Sequence, residues 1–315
     1  TPAHMGSASI PVVDLREAGT PEFTAAVGDA LRDIGFFAVA HHSIAPELLA
    51  RTYSEAAALF ALPDDAKRAC ERPDIMRQRG YTSFGREHAR DSNAPDLKEF
   101  WMVGRELPAG DPHLPHWGPN VWPAEHPGFR DATLALYDAL GAMADTLLEA
   151  CALYLGEEGA RLREMAEWGD TTLRVIHYPP LPPEIPAGSI RSGAHEDINL
   201  ITLLCASTAS GLQLQKRDGG WLKVRVEPEM VIVDSGDMLQ NLTNGVFPAV
   251  THRVVNPRDA SQSRFSLPYF VHPRSDADLT PLASCVALCD GEVRYPSLTA
   301  AKSLEMRLRE IGLGK

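Results

Sequence analysis

The sequence predicts an α+β protein that is mainly β: a mixed α/β N-terminal region, an antiparallel β sandwich or barrel, and a C-terminal helix. Strand and helix signals alternate along the first 62 residues. After Gly193, short apolar runs are separated by turn signals, which is typical of a sandwich or barrel. The runs are INLITLLC, GLQLQ, WLKVRV, MVIVD, VTHRVV and RFSLPYFV. The amphipathic segment SLTAAKSLEMRLREIG predicts the last helix.

The first elements follow a β-α-β-α order. IPVVDL, residues 10–15, predicts a short strand. Thr20 and Pro21 form the N-cap and first-turn proline of a helix that Gly35 ends. FFAVAH predicts the second strand, and residues 45–62 carry apolar side chains at helical spacing.

The middle of the chain holds two predicted strands, a loop and a long helix. EFWMVG, residues 99–104, is rich in the aromatic and branched residues that favour strands. Residues 107–127 are rich in proline, have no helical or strand period, and predict an irregular connection or lid. Residues 127–155 predict one long helix, and TTLRVIHYPP, residues 171–180, a strand that its prolines end.

Charge and hydropathy exclude some classes of partner. The chain has 30 basic and 42 acidic side chains and a net charge of −12, which argues against broad binding to nucleic acids or anionic membranes. Since no apolar run approaches the roughly 20 residues of a membrane span, we expect no transmembrane helix. We see no signal-peptide pattern, and residues 1–7 resemble a leader left by cloning.

The cysteine pattern predicts free thiols. Five cysteines in a chain of this size do not suggest a disulfide framework, so we expect a reducing, cytoplasmic location. Cys285 and Cys289 form a C-x3-C pair, but without a second pair this is a weak zinc signal.

The segment RSGAHEDINLITLLC places polar side chains at the front of an apolar run. On a strand, His195 and Asp197 would share one face and Glu196 would take the other. With His252 from a later strand, they would supply the two histidines and one carboxylate of a facial triad, which suits non-haem Fe(II) and leaves coordination positions open. The alternative is a solvated strand end with no metal.

Arg264 and Ser266 indicate an anion site. If residues 256–262 are the loop of a hairpin, His252 lies opposite Ser266, and His252, Arg264 and Ser266 face one cavity. No acid is near Arg264 on these strands, so its natural partner is an anionic ligand. The alternative is a salt bridge to a distant acid.

Together these motifs resemble the isopenicillin N synthase-like branch of the 2-oxoglutarate/Fe(II) dioxygenases. The resemblance rests on H-x-D, the later THRV and R-x-S, and on IPVVDL, LRVIHYPP and DSGDMLQNLTNGVFPAVTHRVVNP, across about residues 10–275. It implies a double-stranded β-helix (jelly-roll) core, with an N-terminal domain over residues 8–125 and a core with its helices over residues 126–315. Ile176 departs from the family pattern, because many members have asparagine there.

The resemblance also implies cofactors and site residues. His195, Asp197 and His252 would bind Fe(II), and Arg264, Ser266 and Tyr178 would bind 2-oxoglutarate; the alternative for Tyr178 is a core tyrosine. Reaction with O2 would give succinate and CO2 and would hydroxylate a small molecule, an amino acid derivative or natural-product intermediate; desaturation or ring closure is also open. The retained Asp197 argues against a halogenase.

The residues that would hold the substrate are less constrained by motif. Each candidate has a packing role as its alternative, and a buried Arg174 would suggest a carboxylate on the substrate. The candidates are Arg174, Tyr81, Phe84, Phe247 and Phe270.

Two other functions remain open from sequence. One is a 2-oxoglutarate-independent Fe(II) oxidase of the isopenicillin N synthase or ACC oxidase type, which succinate formation would exclude. The other is a metal-binding jelly roll that senses a ligand without turnover. The sequence does not fix the oligomeric state and is compatible with a monomer.

Overall fold

A computed structural model describes residues 10–313. The predicted leader at residues 1–7, and the outer limits of the two predicted domains at residues 8 and 315, lie outside this range. The predicted boundary at residue 125 stays a prediction. Strands from both sides of that position lie in the same sheet.

The N-terminal elements form in the predicted order. Thr20 caps the first helix, its Oγ1 accepting a hydrogen bond from the Phe23 N–H at 3.2 Å. Gly35 follows that helix with a φ of +97°, and a Cβ there would lie 2.3 Å from Val250 Cγ2. A glycine is therefore required where the chain turns into the second strand. The helices are α1 (Pro21–Asp33), α2 (Pro46–Phe60), α3 (Asp64–Arg68), α4 (Leu114–Trp117), α5 (Pro127–Tyr154), α6 (Arg161–Ala166), α7 (Asp237–Leu242), α8 (Ala283–Ala287) and α9 (Ala300–Glu310).

The strands form two sheets that are antiparallel apart from one parallel pair at an edge. They are β1 (Val12–Asp14), β2 (Phe36–Ala40), β3 (Gly80–Thr82), β4 (Glu99–Gly104), β5 (Thr172–Tyr178), β6 (Ser192–His195), β7 (Ile201–Leu204), β8 (Leu212–Gln215), β9 (Trp221–Lys223), β10 (Met230–Ser235), β11 (His252–Val254), β12 (Arg264–Ser266) and β13 (Pro268–Val271). The large sheet has the order β1-β2-β10-β7-β13-β5-β4-β3, with β12 also paired to β5. The small sheet has the order β6-β11-β8-β9. This arrangement confirms the predicted mainly β jelly-roll core.

Three of the helices, α1, α2 and α5, pack against the large sheet. α5 packs against α1 and α2 and also contacts β5, β7 and β13. Its inward face is fully buried at residues such as Phe129, Leu136 and Leu147. The long helix predicted from sequence therefore forms and supports the sheet. The proline-rich connection before it is irregular apart from the single turn of α4.

The predicted hairpin between the strands of His252 and Arg264 is wrong. β11 pairs with β6 and β8 in the small sheet, whereas β12 pairs with β5 in the large sheet. The loop at residues 256–262 therefore crosses between sheets instead of joining two paired strands. His252 and Arg264 face one cavity because the two sheets enclose it, and not because of hairpin register.

Two further findings concern the cysteines and membranes. Cys70, Cys151, Cys205, Cys285 and Cys289 are all free thiols. Across residues 10–313, every helix is too short or too polar to span a lipid bilayer.

Candidate metal and cosubstrate site

His195, Asp197 and His252 converge on one point between the two sheets. His195 Nε2 lies 3.7 Å and His252 Nε2 3.3 Å from Asp197 Oδ1. One potential donor atom from each residue lies within 4.8 Å of the others. Within the described chain, this is the one group of three or more such residues with that spacing. The three donors fit the set of two imidazoles and one carboxylate that non-haem Fe(II) prefers.

Hydrogen bonds orient the three side chains. His195 Nδ1 lies 2.7 Å from the Gly193 carbonyl oxygen, and His252 Nδ1 lies 3.1 Å from that of Val250. Because a carbonyl only accepts, each Nδ1 carries the proton and each Nε2 can present a lone pair. Asp197 Oδ2 accepts a hydrogen bond from Thr202 Oγ1 at 2.6 Å, so Oδ1 is the oxygen that faces the histidines.

The electrostatics favour a cation at this point. Burial and the neighbouring His252 both lower the pKa of His195, which keeps its imidazole neutral. Burial opposes the charge on Asp197, but His252 and His195 hold the pKa of that carboxyl well below its usual value. Asp197 in turn raises the pKa of His252 to about 10 against the effect of burial. Without a metal, a proton on His252 compensates the negative charge of Asp197. A divalent cation bound at this point could take the place of that proton.

Two strands and a turn supply the three residues. His195 is the last residue of β6 and lies opposite His252 of β11 in the small sheet. Asp197 belongs to the turn that leads from β6 to β7 in the large sheet. The expectation that His195 and Asp197 share a strand face is therefore wrong, because the strand ends at His195. Glu196 is exposed, as expected.

Beside these residues lies an inner chamber lined by Tyr178, Arg264 and Ser266. The Arg264 side chain is 1% exposed, and its Nε donates to the Ala209 carbonyl at 3.1 Å. Its Nη1 has no hydrogen-bond partner, and no carboxylate of residues 10–313 forms an ion pair with it. The distant salt bridge considered above does not form. A buried, unpaired guanidinium costs free energy unless an anion meets it, so the chamber fits a carboxylate ligand.

Sequence motifs did not identify a second arginine in this region. Arg191 is fully buried, and its Nε and Nη1 lack hydrogen-bond partners. Its guanidinium carbon lies 5.9 Å from the Tyr178 ring centroid, and that of Arg264 lies 5.1 Å away. Burial and the nearby Arg264 lower the pKa of Arg191. Its position at the front of RSGAHED was the available signal, and it adds positive potential around Tyr178.

The substrate candidates do not all lie together. Arg174 and Phe270 line both the inner chamber and an outer cavity that also contains His195 and Asp197. Tyr81 is instead buried on Glu99, to which its hydroxyl donates. Phe247 is buried in the core beside Tyr154. Phe84 is 41% exposed, and neither it nor Tyr81 nor Phe247 lines either cavity within the described residues.

Arg174 already has a carboxylate partner. Its Nη1 lies 3.0 and 3.1 Å from the two oxygens of buried Glu87. Its guanidinium carbon lies 4.1 Å from the Phe100 ring centroid and 5.3 Å from that of Phe270. The charge of Arg174 is therefore balanced within the protein, and a cation–π contact holds the guanidinium plane against the aromatic rings.

Glu87 makes acid stability a testable property of this site. Burial opposes its charge, but Arg174 and Lys98 lower the pKa of Glu87 to about 2. That pKa is below the unfolded value of about 4.3. The charged Glu87 therefore contributes its full stabilisation of the fold above about pH 4.3. We expect this contribution to be lost as the pH falls from about 4.3 towards 2. Urea unfolding at pH 6 and pH 3 should show a smaller loss for Glu87→Gln than for wild type; equal losses would contradict the assignment.

The comparisons with known proteins agree with the fold. Residues 10–125 match the family model of the non-haem dioxygenase N-terminal region, and residues 169–273 match that of the 2OG-Fe(II) oxygenase superfamily. A 2-oxoglutarate-Fe(II) type oxidoreductase of Aspergillus fumigatus is 33% identical over 84% of this chain and 80% of its own.

Two solved structures are similar over nearly the whole length. A 2OG-Fe(II) oxygenase family protein from Caulobacter crescentus has a TM-score of 0.85 and 37% identity, covering 97% of this chain and 99% of its own. A full-length Neurospora crassa protein in complex with alpha-KG and thymine has a TM-score of 0.83 and 27% identity, covering 98% of each chain.

Fold, site and comparisons together define a non-haem Fe(II) oxygenase. This chain belongs to the 2OG-Fe(II) oxygenase superfamily. It is a 2-oxoglutarate-dependent dioxygenase whose cofactor is Fe(II) and whose cosubstrates are 2-oxoglutarate and O2.

Proposed function

We propose that His195, Asp197 and His252 bind the Fe(II), and that Arg264, Ser266 and Tyr178 bind the distal carboxylate of 2-oxoglutarate in the inner chamber. The observation that carries this proposal is the buried Arg264 Nη1 without a partner, in a chamber that borders the three metal-ligand candidates. A dicarboxylate can span from that guanidinium towards the metal. The hydroxyls of Ser266 and Tyr178 add hydrogen-bond donors of the kind that fix a carboxylate.

The proposed reaction is hydroxylation of a C–H bond of a small molecule in the outer cavity. Bound Fe(II) supplies the redox chemistry by which O2 and 2-oxoglutarate give succinate and CO2. The protein residues hold the cosubstrate on one side and the substrate on the other, and the two sheets keep water from the site. Thr202 keeps Asp197 oriented towards the metal position through its hydrogen bond to Oδ2.

The substrate proposed here carries no free carboxylate. Three arginines line the outer cavity, but each already has a carboxylate partner: Arg90 pairs with Glu310, Arg174 with Glu87 and Arg307 with Asp237. The Nη2 group of Arg174 can still donate to a neutral oxygen, and Phe270 offers an aromatic face beside it. The similar Neurospora crassa structure contains thymine, which is a neutral molecule. These features favour an uncharged natural-product intermediate over a free amino acid.

The test is an anaerobic titration of metal-free protein with Fe(II) and then 2-oxoglutarate. A visible metal-to-ligand charge-transfer band should appear only when both are present, and air should then yield succinate. Fe(II) binding without the band or succinate would reject the cosubstrate role of the inner chamber. It would favour the oxidase alternative if O2 were still consumed with a substrate, and the ligand-sensor alternative if nothing turned over.

A further inference from the structure

A buried ion network lies beside both cavities and centres on Lys98. The four charged side chains are those of Glu87, Asp96, Lys98 and Arg174, and the first three are at most 6% exposed. Lys98 Nζ lies 2.7 Å from Glu87 Oε1, 3.0 Å from Asp96 Oδ2 and 3.2 Å from Ser192 Oγ. An ammonium group has three N–H donors, so each donor has an acceptor.

One end of the network reaches the metal-ligand candidate His195. Asp96 Oδ1 accepts a hydrogen bond from the Gly193 N–H at 2.8 Å. The carbonyl of the same Gly193 accepts from His195 Nδ1 at 2.7 Å. A Cβ on residue 193 would lie 2.9 Å from Ala89 Cβ and 3.3 Å from Asp96 Oδ1, so glycine permits this close approach. Lys98 is thus linked to the imidazole through one carboxylate and the backbone of one residue, Gly193.

The other end reaches the outer cavity. Both oxygens of Glu87 accept from Arg174 Nη1, and Arg174 lines the outer cavity with Phe270. The two cations and two anions of the network balance without any ligand. Lys98 is therefore not needed as a free cation for 2-oxoglutarate, although it borders the inner chamber. Its contacts instead join the two sides of the site.

We propose that Lys98 is a positioning residue that holds His195 and Arg174 in one hydrogen-bonded network. The metal ligand and the guanidinium facing the substrate then keep a fixed relation to each other. Groups that orient a metal ligand without touching the metal commonly change metal affinity by about 10- to 100-fold when they are removed. This inference rests on the proposed function for the roles of His195 and Arg174.

The chain offers a matched control for this residue. Lys67 is buried to a similar degree, and its Nζ lies 3.0 Å from Oε2 of Glu99, the residue after Lys98. Lys67 lines neither cavity within the described residues. Lys98→Met and Lys67→Met therefore each remove one buried Lys–Glu pair, but only the first touches the proposed network. Any general cost of losing such a pair appears in both variants.

The measurement is Fe(II) affinity by anaerobic equilibrium dialysis, without 2-oxoglutarate or substrate. We expect Lys98→Met to weaken Fe(II) binding by about 10- to 100-fold and Lys67→Met to change it by less than about twofold. Equal effects, or no effect of Lys98→Met, would overturn the proposal. This dialysis does not depend on succinate formation. If the wild-type protein binds Fe(II) here but makes no succinate in the separate titration, the proposed function fails and the role of Lys98 can still be tested.

Two size-conserving variants cover the case in which Lys98→Met does not fold. Glu87→Gln removes the carboxylate between Lys98 and Arg174, and Asp96→Asn removes the carboxylate between Lys98 and Gly193. Both variants keep the side-chain volume. If Lys98 joins the two ends, both weaken Fe(II) binding, and the double variant loses less than the product of the two single losses. Independent losses would show that the two carboxylates do not act through Lys98, and an effect of Asp96→Asn alone would show that Glu87 is not coupled to the metal. Either result would overturn the proposal.

Discussion

Replacing Asp197 with alanine is expected to abolish Fe(II) binding and, with it, succinate formation. Asp197 is the only anion among the three candidate ligands, and its Oδ1 faces both imidazoles. Without it, two neutral histidines would have to hold a divalent cation in a buried site, where an unbalanced charge is costly. Since loss of a group that only orients a metal ligand costs about 10- to 100-fold in affinity, loss of this ligand should cost more. Anaerobic equilibrium dialysis measures the affinity directly.

His252→Ala should have an effect of the same kind, because His252 lies directly opposite His195 in the small sheet. Asp218→Ala provides the control, since Asp218 is exposed in the β8–β9 turn. It should bind Fe(II) like the wild type. Binding by Asp197→Ala within a few fold of the control would remove Asp197 from the ligand set.

Arg264→Met is expected to weaken 2-oxoglutarate binding while leaving the ligand-free protein at least as stable as wild type. Removing one partner of a buried charge pair costs about 2–5 kcal/mol, which corresponds to roughly 30- to 4,000-fold in affinity. In the ligand-free protein, however, the guanidinium is a buried cation without a counter-ion. Its replacement by an apolar side chain of similar length removes that unfavourable term.

These opposite effects separate a binding role from a structural one. The charge-transfer band gives the 2-oxoglutarate affinity, and thermal unfolding without ligand gives the stability. Arg264→Lys keeps a charge but loses the planar fork, so its affinity should lie between those of wild type and Arg264→Met. A variant with lower stability and unchanged affinity would show that Arg264 serves the fold instead of the cosubstrate.

Local patterns in the sequence were sufficient for most of the secondary structure. Thr20 and Gly35 mark the two ends of the first helix, and residues 127–155 show one helical pattern. Both signals could be read from the sequence because capping and periodicity depend on residues within a few turns of each other. Strand pairing depends on distant residues and was harder. The loop after β11 resembles a hairpin connection, yet β12 pairs with Tyr178, His177 and Ile176 of β5, which precede it by more than 80 positions. Short-range turn signals carry no information on that choice.

The candidate site shows the same division. Residue type and spacing were enough to bring His195, Asp197 and His252 to notice, although Asp197 lies in a turn and not on the strand that was predicted. Chemistry did not identify the substrate cavity, because aromatic residues fill cores and cavities alike. Phe270 borders the cavity whereas Phe247 is in the core, and only their places in the fold distinguish them. Lys98 was missed because its contact with Ser192, 94 positions away, is not visible in the local sequence.

The metal-ligand candidates lie where the two sheets meet. His195 and His252 belong to the small sheet, while Asp197 accepts a hydrogen bond from Thr202 of β7 in the large sheet. An ion held by all three would act as a cross-link between layers that local opening must otherwise separate. Metal loading should therefore suppress the fluctuations that admit water and proteases, and it should slow amide hydrogen exchange most strongly in β6, β7 and β11. In a cell, iron supply would then influence how long the protein survives as well as how fast it works.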